Sequence, residues 1–446
     1  MKDNIDFSLI IDDDSYDKNN YHFFENAGLH TVIYEFKNEM DTLEDFFYEI
    51  NNLIEVDFSE FVTNNIKSMS NLFRQCNNLT KVTFGSNFDT SKVTKMDYMF
   101  FDCEELIELD LSSFNLERVT NTYLMFGLCF KLKRIKMNNN TRTNNLEEMS
   151  YMFSNCKSLE YINTEIFKVN KIRSLNYTFA NCNSLKEIDL SHLESGSIKE
   201  LIGTFYECKS LQKIDISNFN APNLESIEEI FYGCVNLISL NLSMINSNKL
   251  YNTNKAFYNC QSLITLDLSS FDFNTVNYAN YMFLNCTSLQ NLVLPNKMIS
   301  LKSAIFMFGN CTNLQNINLG FLENTISLES VYGMFFNCIN LNEIVFPNLN
   351  TNCLRDISDM FYGCTSLRSI NLEKLEASNI LQMSKIFYNC INLEFLNIYN
   401  LDLSNVKNSD FIFEGVGKNI SIVYDPNKIN ENIKTQIENL ISRVNF

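Results

Sequence analysis

The sequence predicts an α/β repeat solenoid: a curved stack with a parallel β-sheet on its concave face and short helices on its convex face. Two observations predict this fold class. A Phe-x-x-Cys segment returns about every 26 residues, and so regular a period is typical of stacked units that share one core. Within each unit, the spacing of the apolar residues changes from that of a helix to that of a strand.

The unit around Cys103 shows this change of spacing. From Met96 to Cys103 the apolar residues recur at i, i+3, i+4 and i+7, which predicts one face of a short helix. Leu109 and Leu111 then alternate with charged residues, which predicts a strand with one buried side. Each unit is therefore expected to run helix, turn, strand, turn.

The predicted curvature follows from the thickness of these elements. Strands pack about 4.8 Å apart, whereas helices pack about 8–10 Å apart. The helical side should therefore be longer, and the stack should bend with its strands on the concave face. The same spacing places cysteines of neighbouring units beyond the roughly 7 Å limit for a disulfide. The 13 regularly spaced cysteines are thus expected to be small buried residues, whereas Cys353 lies out of register and is expected to be exposed.

The spacing also predicts the domain organisation. Residues 42–424 form a solenoid of about 15 rungs. Residues 1–41 lie outside the register and are expected to cap the first rung, with strands at Phe7–Ile11 and His30–Phe36. The acidic segment Asp12–Asn20 between them is expected to be a loop.

The C-terminal segment, residues 425–446, is expected to close the other end of the stack. Apolar residues recur at helical spacing over Lys428–Val444, which predicts an amphipathic helix. Because both ends differ from the middle, as capping of a repeat stack requires, we expect one continuous domain and a monomer.

The formal charge of −18 argues against two classes of partner. Nucleic acid and anionic membrane surfaces both attract clustered Lys and Arg, so neither is expected to bind. No apolar run is long enough for a membrane span, and the first residues lack the apolar run of a secretory signal. Insertion into a membrane is therefore not expected, and a cytoplasmic location stays open.

The sequence shows no pattern typical of catalysis. It lacks G-x-S-x-G, a phosphate-binding loop and H-E-x-x-H. It contains 3 His and no C-x-x-C pair, so the spacing of a zinc site is also missing. The expectation is a protein that is not an enzyme and that has no cofactor and no metal.

The unit resembles a known family of repeat proteins. The pattern Leu106-x-x-Leu109-x-Leu111-x-x-Phe114-x-Leu116 is similar to the core of leucine-rich repeats. The Met-Phe-x-x-Cys segment that precedes it resembles the BspA-like leucine-rich repeat surface protein family. The resemblance covers residues 42–424 and implies a binding or adhesion role at a cell surface.

The candidate binding residues lie seven positions after each cysteine, where Asp and Asn dominate. If Leu109 and its equivalents point into the core, these residues point into the concave face. One interpretation is a polar ladder whose side chains bond along the stack; the other is a docking face for a basic protein surface or a glycan. The candidates, with the neighbouring aromatic residue Tyr161, are Asp110, Asn163, Asp189, Asp215, Asn241, Asp267 and Asn318.

Two functional hypotheses follow. The first is a non-catalytic protein-binding or adhesion scaffold that recognises a macromolecular partner through the concave strand face. The alternative is a carbohydrate-binding surface protein that uses the same residues.

Overall fold

The computed structural model is a parallel β-solenoid. It describes residues 7–11, 14–16, 31–36, 40–138, 142–167, 170–242, 245, 247–350 and 352–442. Within these ranges the strands are β1 Phe7–Ile11, β2 Asp14–Tyr16, β3 Val32–Phe36, β4 Glu55–Phe58, β5 Lys81–Phe84, β6 Glu108–Leu111, β7 Arg134–Met137, β8 Glu187–Asp189, β9 Lys213–Asp215, β10 Ser239–Asn241, β11 Thr265–Asp267, β12 Asn291–Val293, β13 Asn316–Asn318, β14 Glu343–Val345, β15 Leu349–Asn350, β16 Ser369–Asn371, β17 Leu375–Glu376, β18 Phe395–Asn397 and β19 Ser421–Val423. The α-helix is α1, Glu431–Ser442, and short 3-10 turns occur at Thr164–Ile166, Ser195–Ser197, Gly320–Leu322 and Pro426–Lys428.

Neighbouring strands pair one repeat apart. In β6 and β7, Glu108 lies opposite Arg134 and Leu109 opposite Ile135, in parallel orientation. The same register joins β16 to β18. Along β6 the first and third residues are exposed, whereas the residue between them, Leu109, is 3% exposed. The predicted stack of parallel strands, with alternate side chains in the core, is therefore confirmed.

The predicted helices on the opposite side are wrong. Each Met-Phe-x-x-Cys segment folds as consecutive turns. Among the described residues, α1 is the only α-helix. Two residues four apart in each segment have positive φ, as in Tyr98 (57°) and Asp102 (63°), which interrupts any helix. The backbone N–H groups bond instead to the next rung: Phe100 donates to the Met125 carbonyl at 2.8 Å. These turns form a second hydrogen-bonded face, which we call the turn face.

The turn face has nearly the same spacing as the strands. The buried Phe rings stack from rung to rung, with centroids 5.3 Å apart for Phe73 and Phe100 and 5.9 Å apart for Phe387 and Phe413. The expected 8–10 Å spacing is therefore wrong, because hydrogen-bonded turns are thinner than helices. The predicted curvature rested on that difference, so we refer below to a strand face and not to a concave face.

The cysteines form a buried column beside these rings. All 13 regularly spaced cysteines are free and buried, and Cys353 is exposed, as predicted. The thiol of Cys129 donates to the carbonyl oxygen of Phe100 at 3.0 Å, and the other rungs repeat this contact. Burial raises the pKa of the Cys129 thiol to about 12. The predicted role as small buried residues holds, although the predicted reason, a wide spacing of the rungs, does not.

A second column of aromatic rings lies on the outside of the turn face. Tyr206, Tyr232 and Tyr258 stack with centroids 4.6 and 4.4 Å apart. Further towards the N-terminus the rings stand three residues earlier in the turn, where Tyr177 covers Gly203. A Cβ on Gly203 would lie 2.2 Å from that ring, so the Tyr177 ring would have to move to admit any larger residue there.

The N-terminal segment is described in part. β1 pairs antiparallel with both β2 and β3, which confirms a strand at Phe7–Ile11 and places the second at Val32–Phe36. The loop predicted over Asp12–Asn20 contains β2, so that prediction is wrong in part. The other residues of 1–41 lie outside the described residues, apart from Thr31, Met40 and Asp41. The capping role of this segment stays a prediction.

The C-terminal helix packs on the last rung. Its Ile433, Ile437 and Leu440 are buried, which confirms the predicted apolar face. The Gln436 side chain donates to the Ser409 carbonyl at 2.7 Å and accepts from the Ile412 N–H at 3.2 Å. The helix thus bonds to the exposed end of the turn face. The helix predicted over Lys428–Val444 begins later than expected, and residues 443–446 lie outside the described residues.

Substitution of one stacked ring tests the shared core. Phe231 is 2% exposed and stacks on Phe205 and Phe257. We expect Phe231→Ala to lower the free energy of unfolding by about 3–5 kcal/mol, because it leaves a cavity between two rungs. The control is Tyr251→Ala, at a 44% exposed ring, which should cost less than about 0.5 kcal/mol. Urea unfolding measures both, and equal losses would contradict a core shared between rungs.

Thiol labelling tests the cysteine column. Of the 14 thiols, the native protein should react rapidly at Cys353 alone, because the others are buried and protonated. Ellman's reagent measures the number of reactive thiols before and after denaturation. The Cys353→Ser variant should show no rapid phase; several fast thiols in the native protein would contradict the buried column.

Candidate binding surface on the strand face

The strand face consists of the first and third residues of each parallel strand. In β8, Glu187 and Asp189 are exposed while Ile188, between them, is buried. The predicted row seven positions after each cysteine supplies the third residue. Its members Asp110, Asp189, Asn241, Asp267 and Asn318 are exposed, Asn163 and Asp215 are half-buried, and Tyr161 is 60% exposed.

The side chains of this row end the strands. The Asp267 carboxylate accepts the backbone N–H of Ser269 at 2.8 Å, two residues further on. Such a bond closes an Asx turn, which explains why Asp and Asn dominate the row. The interpretation of a polar ladder bonded along the stack is therefore wrong for these bonds, which lie within one rung. The same contact occurs at Asp110, Asn163, Asp189, Asp215 and Asn318.

These turns stabilise the ionised carboxylates. Hydrogen bonds from the side chain and backbone of Ser269 lower the pKa of Asp267. Burial alone would raise the pKa of Asp110, but hydrogen bonds from Lys136 and Ser112 outweigh it and the pKa is lowered. The lowered pKa values of Asp110, Asp189 and Asp267 keep these three side chains negatively charged at neutral pH.

The N-terminal part of the strand face, which we call the charged zone, runs from β4 to β9. Opposite charges on neighbouring rungs pair here: Arg134 lies 3.1 Å from Glu108, and Lys136 lies 2.8 Å from Asp110. His192 Nε2 lies 3.4 Å from Asp189 Oδ2. Arg134 and Lys136 are not among the predicted binding residues, although each stands one repeat after its acidic partner in the sequence.

A shallow groove of about 700 Å³ crosses the charged zone. Arg134, Lys136, Asp110 and Glu108 line it, and the ring of Tyr161 stands at its edge. An aromatic ring beside an Arg is typical of the residues that dominate binding energies at protein interfaces. Of the predicted set, Asp110 and Tyr161 thus line one groove, on rungs separated by that of Arg134 and Lys136.

The C-terminal part, which we call the neutral zone, runs from β10 to β19. Among the first and third residues of β10–β14, β16, β18 and β19, the charged residues are Asp267 and Glu343. Asn241, Thr265, Asp267 and Asn291 line a hollow of about 310 Å³ there. The predicted residues Asn241, Asp267 and Asn318 therefore belong to a different surface from Asp110 and Tyr161.

Two further findings concern the described part of the chain. No group of three or more His, Cys, Asp or Glu side chains in it is arranged to hold a metal ion. None of its helices has the length and apolar character needed to span a bilayer.

The fold defines a repeat protein, a parallel β-solenoid with a period of about 26 residues. Residues 41–166, 147–263, 199–321 and 302–423 match the family described as "Mycoplasma protein of unknown function, DUF285". These ranges cover most of the chain, which therefore belongs to this family. No curated protein matches the chain.

Several solved structures are similar to the chain at low identity. A leucine-rich repeat protein from Bacteroides ovatus is 20% identical, with 95% of this chain and 99% of that one covered and a TM-score of 0.41. One from Eubacterium ventriosum is 15% identical, with 81% and 88% covered and a TM-score of 0.32. An internalin from Listeria monocytogenes is 14% identical, with 74% and 87% covered and a TM-score of 0.25.

The stabilised carboxylates predict a dependence of stability on pH. A group whose pKa is lowered by folding contributes stability above its unfolded pKa, and this contribution is lost as pH falls through the folded pKa. We expect stability to fall on acidification below about pH 4, in part through Asp267. Asp267→Asn keeps the oxygen that accepts the Ser269 N–H but cannot titrate. Its urea midpoint should fall less between pH 6 and pH 3 than that of the wild type; equal falls would contradict the assignment.

Proposed function

We propose that this protein is a non-catalytic scaffold that binds a protein partner through its strand face, with the charged zone as the main contact. One observation carries the proposal. The inward positions repeat Phe, Cys and Leu in rung after rung, whereas the strand-face positions change from rung to rung. The third residue of each strand is restricted by its turn, but the first residues contribute little to the shared core or to the turns, so their variety supports a role in recognition.

The chemistry of the charged zone supports a charged protein partner. The groove presents both signs of charge on two neighbouring rungs, with Glu108 and Asp110 on one and Arg134 and Lys136 on the next. Exposed ion pairs contribute little free energy, so a partner protein can replace one member of a pair with its own charged side chain at a small cost in free energy. Further along, Asp189 and Asp215 add acidic groups to which a basic surface would be attracted. The partner is therefore a folded protein with a mainly basic patch.

The setting we propose is adhesion. It is supported by the resemblance of the Met-Phe-x-x-Cys units to BspA-like surface proteins, and by the length of the face. We also propose that the protein acts as a monomer, because a rigid stack presents this face without a second copy. The alternative function, carbohydrate binding, is favoured by the neutral zone alone and is developed below.

Substitution of Tyr161 tests the charged zone once cross-linking has captured a partner. We expect Tyr161→Ala to weaken binding by about 2 kcal/mol, roughly 30-fold, because an exposed ring at the groove supplies apolar contact. Isothermal titration calorimetry measures the loss. Tyr251→Ala removes an exposed ring outside the strand face and should leave the affinity unchanged.

The acidic row needs a substitution that spares the turns. The combined variant Asp110, Asp189, Asp215 and Asp267→Asn keeps each acceptor oxygen and removes four charges. It should slow association with a basic partner and reduce the salt dependence of binding, as stopped-flow kinetics would show. Unchanged affinity and kinetics in both this variant and Tyr161→Ala would exclude the strand face as the protein-binding site.

A further inference from the structure

The neutral zone has a composition unlike the rest of this acidic protein. The first residues of its strands carry hydroxyl and amide groups at most rungs and are exposed. They are Ser239, Thr265, Asn291, Asn316 and Ser369. The register of β10, β11 and β12 places the first three of them side by side on consecutive rungs. Hydroxyls and amides that both donate and accept therefore stand in a regular row.

The amides of the third-residue column have fixed orientations. The Asn318 side-chain oxygen accepts the Gly320 N–H at 2.9 Å, and the Asn371 oxygen accepts the Glu373 N–H at 3.0 Å. Because the oxygen is held in the turn, the amide nitrogen at the other end of the group is directed away from it. Both side chains are exposed. Each such rung thus presents an oriented donor without ordering cost on binding.

Aliphatic side chains border these polar rows. Ile238 is 50% exposed and Ile264 is 40% exposed at the start of neighbouring strands, while Val293 and Val345 are 50% and 45% exposed at strand ends. Val345 lies opposite Asn318 in the register of β13 and β14, and an aliphatic group beside an oriented donor suits a ligand with apolar C–H faces and polar edges. The shallow hollow around Thr265 and Asn291 leaves room for such a ligand to lie flat.

We propose that the neutral zone binds a neutral, linear polysaccharide lying along the stack axis. Sugar hydroxyls match a row of Ser, Thr and Asn side chains, and their C–H faces match the aliphatic border. A repeating polymer meets similar groups at most rungs, about 4.8 Å apart and over about 35 Å from Ser239 to Ser421; Glu343 and Phe395 are the exceptions.

The scarcity of charged side chains in the neutral zone disfavours other kinds of polymer. An anionic polymer is repelled by the net charge of −18 and meets no basic row here. A protein partner with charged side chains would have to desolvate them against a face with little charge to pair them. The charged zone offers several such pairs, whereas the neutral zone has one at its border, between Arg368 and Glu394. The two zones are therefore assigned different partners.

Binding at successive rungs makes a specific prediction about ligand length. Each added sugar engages a further rung as an intramolecular event, so affinity should rise steeply with chain length. The probes are neutral cello-, malto- and chito-oligosaccharides from disaccharide to hexasaccharide, measured by calorimetry with the full chain. We expect one series to bind with affinity that increases with length, and oligogalacturonides, which are anionic, to bind more weakly.

A pair of matched variants locates the site. Asn371→Asp keeps the oxygen that accepts the Glu373 N–H but replaces the amide donor, and should weaken binding of the hexasaccharide roughly tenfold. Asn163→Asp makes the same change in the same kind of turn within the charged zone, and should leave sugar binding unchanged. Thermal unfolding of both variants verifies that the fold is retained.

Three outcomes would overturn the proposal. They are absence of binding by every neutral series, stronger binding of the anionic series, and equal effects of the two Asn→Asp variants. None of these outcomes bears on the protein partner, because that proposal rests on Tyr161 and the charged zone.

Discussion

The structure depends on hydrogen bonds that join each rung to the next on both faces. On the strand face, Glu108–Leu111 pairs with Arg134–Met137. On the turn face, the Phe100 N–H bonds to the Met125 carbonyl, and the Phe73 N–H bonds to the Met99 carbonyl one rung earlier. Since each rung exchanges hydrogen bonds with the rungs on both sides of it, a lone rung would leave these groups unpaired. A rung is therefore stable only when it is bonded to its neighbours, and the two terminal rungs each need a capping segment.

This two-sided bonding determines which residues fit inside. A spacing near 5.5 Å brings Phe rings into stacking contact, as for Phe126 and Phe153, and leaves space for a thiol beside them. The Cys156 thiol fills that space and donates to the Phe126 carbonyl, which also accepts the backbone N–H of Cys129. The interior is thus restricted at every rung, and variety is confined to the outside.

The outward positions are also restricted, but by their own backbone. The Asx turns at strand ends require Asp or Asn, so the abundance of these residues on the strand face says more about folding than about a partner. The groups that the turns leave available to contact a partner are the charge of Asp, the amide nitrogen of Asn, and the first residue of each strand. On that basis the strand face divides into a charged zone and a neutral zone.

The sequence by itself determined the stack, its register, the burial of the cysteines and the amphipathic C-terminal helix, because these follow from periodicity and apolar pattern. Only the tertiary structure decided that Met96–Cys103 forms turns. A residue with positive φ every fourth position places side chains inward at i and i+4 much as a helix does, so the pattern cannot separate the two. The tertiary structure also decided the role of Asp267, whose carboxylate closes a turn. It decided the pairing of Arg134 with Glu108 as well, because such contacts exist only once the register has brought residues 26 apart side by side.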